Sequence, residues 1–312
     1  MGNSVLEIKN LSKRYNSQWA LKNVNLRLEK GRIYGLIGKN GAGKTTLMRM
    51  VAGLGFPTNG TVELFGKSRE DGLKDTNRRM GALIEYPAVI GNMTAKENIH
   101  FQCLMRGIPN FELEDELLEL TGLKDTGKKK VKNFSLGMKQ RLGIAVVLLG
   151  SPELLLLDEP INALDPSGVI EIRNLLKRLR EFENKTILIS SHNLPELYQT
   201  ATNYIIIHNG EVKDMLTHEE LEEHCKSYIS IESTDINKLA MVLEKELETS
   251  NFQVMPGKSI SLYDLPGNME QFGQVLYDNG VVITKLAVVE TSLEEYYMRV
   301  IGGDGNDGSV QE

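Results

Sequence analysis

The stretch "GLIGKNGAGKTT", residues 35–46, sets Gly38, Gly43, Lys44 and Thr45 at the spacing of a phosphate-cradling loop. Glycines at those places let consecutive backbone N–H groups turn toward one anion, and a helix starting there adds the positive end of its dipole. In that arrangement Lys44 reaches the β- and γ-phosphates and Thr45 offers a hydroxyl to Mg²⁺, with Lys39, Asn40, Gly41, Ala42 and Thr46 completing the cradle. The apolar residues before the loop read as a strand and those after it as a helix, which is the context this chemistry needs.

A second set of reactive residues ends a run of leucines. In "ELLLLDEP", residues 153–160, a buried strand delivers Asp158 and Glu159 together at its end. Strand ends in open α/β sheets face the ligand crevice. Asp158 there can help hold Mg²⁺ and Glu159 can polarise a water; without the loop at 35–46, both could equally be acids capping a turn. A third carboxylate, Glu85, lies in "MGALIEYPAVIGNMTAKENIH", residues 80–100. Proline cannot donate to a sheet ladder, so a strand that surfaces after Ile84 and turns at Tyr86-Pro87 accounts for it as a loop acid. The residues alone do not settle what that carboxylate does.

The elements that must hold these groups follow from patterning. "VLEIKNL", "NVNLRLE" and "RIYGLIG" predict strands, Thr45 to Val51 a helix, and 61–65 and 81–84 two short strands. Residues 94–150 are rich in helical pattern. After them come the strand "ELLLLDEP", the helix "SGVIEIRNLLKRLREF", the strand "KTILISS", the helix "NLPELYQTA" and a hairpin, "YIIIHNGEVKDM". All-apolar strands alternating with helices predict a largely parallel sheet buried on both faces, with an antiparallel layer at the N-terminus and a helical insert. From 217 on, "THEELEEHC" reads as a linking helix. Short strands ("SYISIE", "KSISLY", "VVITKLAVVE") then alternate with helices ("INKLAMVLEKELE", "NMEQFGQVLYDNG") as a small α+β domain. Its last helix is expected at "SLEEYYMRV", where Ser292 and Glu295 have capping-box spacing. "GGDGNDGSVQE" is Gly-rich and acidic, the composition of a disordered tail. The expected domains are 1–216, 217–300 and a tail at 301–312.

Composition narrows the partners. The chain has 312 residues, 41% hydrophobic and 25% charged, with a net charge of -6, so no basic face for nucleic acid is expected. Cys103 and Cys225 make neither a metal spacing nor a disulfide framework, which points to a reducing cytosol. "MGNSVLEIKN" lacks the basic start and apolar core of a secretion signal, and Leu6 stands where myristoylation wants Ser or Thr. A bilayer span needs about 20 apolar residues; the best candidate, "LGIAVVLLGSPELLLL", is broken by Gly150, Ser151, Pro152 and Glu153.

Three further motifs, "FSLGMKQR" (134–141), "NALDP" (162–166) and "SSHN" (190–193), separate the families that use a phosphate loop. With them, residues 3–216 resemble the nucleotide-binding subunit of ATP-binding cassette (ABC) transporters. The resemblance implies an α/β P-loop ATPase domain with ATP and Mg²⁺ as ligands. It makes Glu159 the general base and places His192 on the γ-phosphate, Tyr15 of "LSKRYNSQWAL" on adenine, and Ser135 and Gly137 over the ATP of a second subunit. Leu136 and Met138 depart from the family's more usual glycine and glutamine. Glu85 stands where the family usually has glutamine, in a loop that touches both metal site and membrane partner; hard cations tolerate the added charge. "GALIEYPAVIGNMTAKENI" and "TSLEEYYMRVIGG" are similar to subunits that serve resistance to bacitracin and lantibiotic peptides. The expected protein is a cytoplasmic ATPase, peripheral on the inner face of the membrane, that dimerises with a second copy around two ATP and drives a separate permease. A soluble cassette ATPase acting on ribosomes or DNA is the rival of another class, and a ligand-sensing C-terminal domain is a third reading.

Overall fold

The computed structural model describes residues 4–68, 76–108, 112–162, 164–255, 259–264, 266–289 and 293–302. Ala163, Ser292 of the capping-box pair and the tail from 303 on lie outside the described residues. The chain divides into two compact units, Met1–His218 with Val300–Glu312, and Glu219–Arg299.

The first unit opens with β1 (Ser4–Tyr15) and β2 (Gln18–Glu29), followed by β3 (Ile33–Ile37), α1 (Lys44–Ala52), β4 (Asn59–Leu64), β5 (Lys67–Ser68) and β6 (Met80–Leu83). Helices α2 (Ala95–Arg106), α3 (Glu112–Leu120) and α4 (Leu136–Leu148) come next. Then β7 (Leu154–Asp158), α5 (Pro166–Glu183), β8 (Thr186–Ser191), α6 (Leu194–Tyr198), β9 (Asn203–His208) and β10 (Glu211–Thr217) complete the run, and α7 (His218–His224) belongs from Glu219 on to the second unit. Strands β2-β1-β4-β5 form an antiparallel layer, and β10-β9-β3-β8-β7-β6 a second sheet, parallel except for the β9–β10 hairpin. This is the mixed architecture predicted from the alternation of apolar strands and helices.

Every residue of β3, β7 and β8 is buried, as expected for strands covered on both faces. Nine residues of α1 would be marginal as an isolated helix. Leu47, Met48, Met50 and Val51 join one core with Leu6, Ile8 and Leu21 of the antiparallel layer and Leu36, Leu154 and Leu188 of the parallel sheet. Burying each such side chain is worth about 1.5–3 kcal/mol, so the start of α1 is anchored by both sheets.

The second unit is built from β11 (Tyr228–Ser233), α8 (Ile236–Lys245), β12 (Phe252–Met255), β13 (Ser259–Leu262), α9 (Met269–Asp278), β14 (Ile283–Val289) and the helix α10 beginning at Leu293. Its antiparallel sheet has the order β12-β13-β11-β14, a β-α-β-β-α-β arrangement. Ile229, Ile231, Ile260, Leu262, Phe272 and Leu276 lie in its core. The strand β12 is absent from the pattern reading; Gln253, Val254 and Met255 are all exposed, so four residues carry no alternation to mark them.

Candidate active site

The loop between β3 and α1 is shaped by close backbone approach. Gly43 has φ 111°, a conformation closed to other residues, and a Cβ there would lie 2.7 Å from the Ala20 carbonyl. A Cβ on Gly38 would lie 2.6 Å from the Ile207 carbonyl. Lys44, the first residue of α1, is only 6% exposed, and a buried ammonium needs partners. It donates to the Gly38 carbonyl at 2.6 Å and lies 3.4 Å from Glu159 Oε1.

The neighbouring strands supply the rest. Because β3, β8 and β7 are parallel neighbours, their C-terminal ends meet beside the loop. Thr45 Oγ1 donates to Asp158 Oδ2 at 2.8 Å, and Ser190 Oγ donates to Asp158 Oδ1 at 2.6 Å. The Glu159 N–H donates to Ser190 Oγ at 2.9 Å, and His192 Nδ1 is 3.0 Å from Glu159 Oε2. Glu159 adopts φ 50°, uncommon for a residue with a Cβ and recurrent at functional sites. Lys44, Thr45, Asp158, Glu159 and His192 therefore form one bonded cluster, with a cation, a hydroxyl, two carboxylates and an imidazole around a glycine cradle.

The remaining candidates sit elsewhere on the unit's surface. Among the described residues no hydrogen bond or ion pair joins Tyr15, Ser135, Gly137 or Glu85 to the cluster. Tyr15 is 46% exposed at the end of β1, with Lys13 Nζ 4.9 Å from its ring centre. It ends a twelve-residue strand, because Asn16 takes φ 51° and turns the chain into β2. Ser135 is exposed and caps α4 by accepting from the Met138 N–H at 3.2 Å. Gly137 follows in the first turn of that helix, beside Leu164. In "NALDP", Ser167 donates to Asp165 at 2.5 Å and holds that carboxyl below the usual carboxylate range.

Glu85 follows β6 with φ 66° and accepts from Arg49 Nη2 at 2.7 Å, at the far end of α1 from Lys44. Pro87 packs against α4, where a Cβ on Gly143 would lie 2.8 Å from the proline ring. The loop carrying Glu85 is thus tied to the phosphate-loop helix by an ion pair and to the helix capped by Ser135 by packing. Among the described residues no group of three or more His, Cys, Asp or Glu gathers as a metal cluster. Arg49 is absent from the sequence motifs, and Ser190, though it opens the motif at 190–193, has no role assigned there.

The arrangement defines an ATP-binding cassette. A family model described as ABC transporter matches residues 21–162. Over 300 residues the chain is 39% identical to the bacitracin transport ATP-binding protein BcrA of Bacillus licheniformis, covering 96% of this chain and 98% of that one. The chain belongs to the ATP-binding subunits of the ABC transporter family. It is also 41% identical over 231 residues to the lantibiotic transport ATP-binding protein SrtF of Streptococcus pyogenes, covering 73% of this chain and 99% of SrtF. A solved dimeric ATP-binding cassette in a post-hydrolysis state, bound to ADP and Pi, matches 68% of this chain and 98% of its own. Its TM-score is 0.62 at 28% identity.

Proposed function

We propose that this chain is the ATP-hydrolysing subunit of an exporter that protects cells from peptide antibiotics of the bacitracin or lantibiotic type, driving a separate membrane permease. The observation that carries this reading is the bonded Thr45–Asp158–Ser190–Glu159–His192 array beside the glycine loop, in a chain alike over nearly its whole length to a bacitracin transport ATP-binding protein. No helix among the described residues is long and apolar enough to cross a membrane. A peripheral place on the inner membrane face, held by the permease, fits that.

ATP is the substrate. Residues 38–46 wrap its phosphates, and Lys44 neutralises the β- and γ-phosphates. The hydroxyl of Thr45 and the carboxylate of Asp158, 2.8 Å apart, are the hard oxygen donors that suit Mg²⁺. Thr45 and Asp158 would hold that ion, which would supply charge neutralisation for the phosphates. Glu159 accepts a proton from the water that attacks the γ-phosphorus as the bond to the ADP oxygen breaks, and His192, 3.0 Å from Glu159, contacts the γ-phosphate. Tyr15 stacks on adenine. Ser135 and Gly137 of a second copy cover the nucleotide, since the N-terminus of α4 is exposed and N-termini favour phosphate. Binding closes the dimer and hydrolysis opens it. The C-terminal domain, 217–300, supports the dimer as an appendage. Ser135→Arg places a long cation at that contact and should block ATP-dependent dimer formation while each monomer still binds ATP. Gel filtration with and without ATP reads this, and a dimer of wild-type yield would contradict it.

Glu85 couples the metal site to the permease, and within this chain its carboxylate is held by Arg49 of α1. An exposed pair of this kind contributes only about 0–1 kcal/mol to stability, so its loss should not unfold the protein. Glu85→Gln keeps an acceptor oxygen and should retain much of the function. Glu85→Ala should lose antibiotic protection more severely than basal ATPase activity. The test measures ATPase rate and bacitracin or lantibiotic tolerance side by side in cells carrying the cognate permease. Full tolerance in Glu85→Ala removes the coupling role. Unchanged sensitivity when the wild-type pair is expressed removes the assignment to peptide antibiotics.

A further inference from the structure

Ser190 is fully buried near the end of β8 and lies in register with Asp158 on the neighbouring strand β7. A serine hydroxyl has one proton to give and two lone pairs to receive with. Both are used here: Ser190 donates to Asp158 Oδ1 at 2.6 Å and accepts from the Glu159 N–H at 2.9 Å. Since Thr45 donates to the other Asp158 oxygen at 2.8 Å, that carboxylate is held between two hydroxyls and its plane is fixed. The same serine also constrains the next residue. Glu159 at φ 50° occupies a conformation that persists only where the surroundings over-determine it. Its N–H is anchored by Ser190, while Lys44 and His192 hold its two carboxylate oxygens.

We propose that Ser190 is a positioning residue for ATP hydrolysis: one buried hydroxyl sets the orientation of Asp158 and the backbone conformation of Glu159 at once. The proposal rests on the reading of Asp158 and Glu159 given above. It adds a requirement for a hydroxyl at a strand position where an apolar residue would otherwise pack as well. Ser190 touches neither substrate nor metal in this account, and acts through the two residues that do.

The test is Ser190→Ala beside Ser190→Thr and wild type. Losing a partner that orients a ligand-bearing residue typically costs roughly 10–100-fold in activity or metal affinity. Ser190→Ala should therefore lower kcat by about that factor and raise the Mg²⁺ concentration needed for half-maximal ATP binding. ATP affinity in EDTA, read by calorimetry, should stay at the wild-type value, because the glycine loop and Lys44 are untouched. Amide hydrogen exchange should accelerate across 154–162 and stay unchanged across 44–52. Ser190→Thr keeps the hydroxyl and should restore both rate and protection. Should Ser190→Ala not fold, Ser190→Cys takes its place, a near-isostere with a weak donor. Wild-type rate and wild-type exchange at 154–162 in Ser190→Ala would overturn the proposal, as would equal loss in the Ala and Thr variants. A wild-type protein without ATPase activity would instead sink the functional reading, and the exchange data would still decide whether Ser190 holds Glu159.

Discussion

Lys44→Ala leaves a folded protein with no measurable ATP turnover and ATP binding weakened by about 10–100-fold. Charge-assisted hydrogen bonds are worth about 1.5–3 kcal/mol each, and each 1.4 kcal/mol is about tenfold in affinity. Lys44 is 6% exposed and already tied to the loop by its bond to the Gly38 carbonyl, so its ammonium is held at the cradle before any nucleotide arrives. The substitution also strips Glu159 of a cation at 3.4 Å, which disturbs the carboxylate proposed as the general base. Alanine is the best helix former, and the anchoring of α1 comes from Leu47, Met48, Met50 and Val51, none of which is altered. Turnover by a coupled phosphate assay and affinity by calorimetry measure the two effects. Wild-type turnover would remove the phosphate-loop assignment.

Glu159→Gln separates binding from chemistry. The amide keeps the length and an acceptor oxygen for Lys44, and it keeps a polar group within reach of His192, 3.0 Å away in the native protein. It cannot take a proton from water at neutral pH, and loss of a general base costs roughly 10²–10⁴-fold. The expected result is a fall in kcat of that size with ATP affinity retained, whereas Lys44→Ala loses both. Single-turnover kinetics at saturating ATP check it. An undiminished rate would move the base elsewhere, and a matching loss of affinity would make Glu159 a binding residue.

How much of this was legible in the sequence depended on whether the signal was local. Gly38 to Thr46 announce themselves because the cradle is made by neighbours along the chain, and Asp158 with Glu159 because four leucines mark the strand that ends in them. Ser190 opens the motif at 190–193, but its bridging role carries no such mark. A serine at the end of an apolar strand looks the same whether it faces solvent or, as here, bridges two residues more than 30 positions away in sequence. Arg49 is hidden for the same reason, since its partner Glu85 lies 36 residues on and meets it only once the chain has folded. The antiparallel layer, the parallel sheet and the helical insert follow from period and burial. The short strand Phe252–Met255 does not, because an exposed edge of four residues has neither period nor length. Tyr15, Ser135 and Gly137 are exposed or at a surface helix start, and among the described residues no hydrogen bond or ion pair joins them to the cluster. Their roles came from resemblance to a family whose site needs two copies.

That need for two copies is the part of the account most exposed to a single measurement. Glu159→Gln protein, incubated with Mg²⁺ and saturating ATP, is passed through size exclusion with in-line light scattering, and the nucleotide in the peak is quantified. The expected result is twice the monomer mass with two ATP per dimer, and the monomer mass when ATP is omitted or when Ser135→Arg is combined with Glu159→Gln. A Glu159→Gln protein that carries ATP yet elutes only at the monomer mass would contradict it.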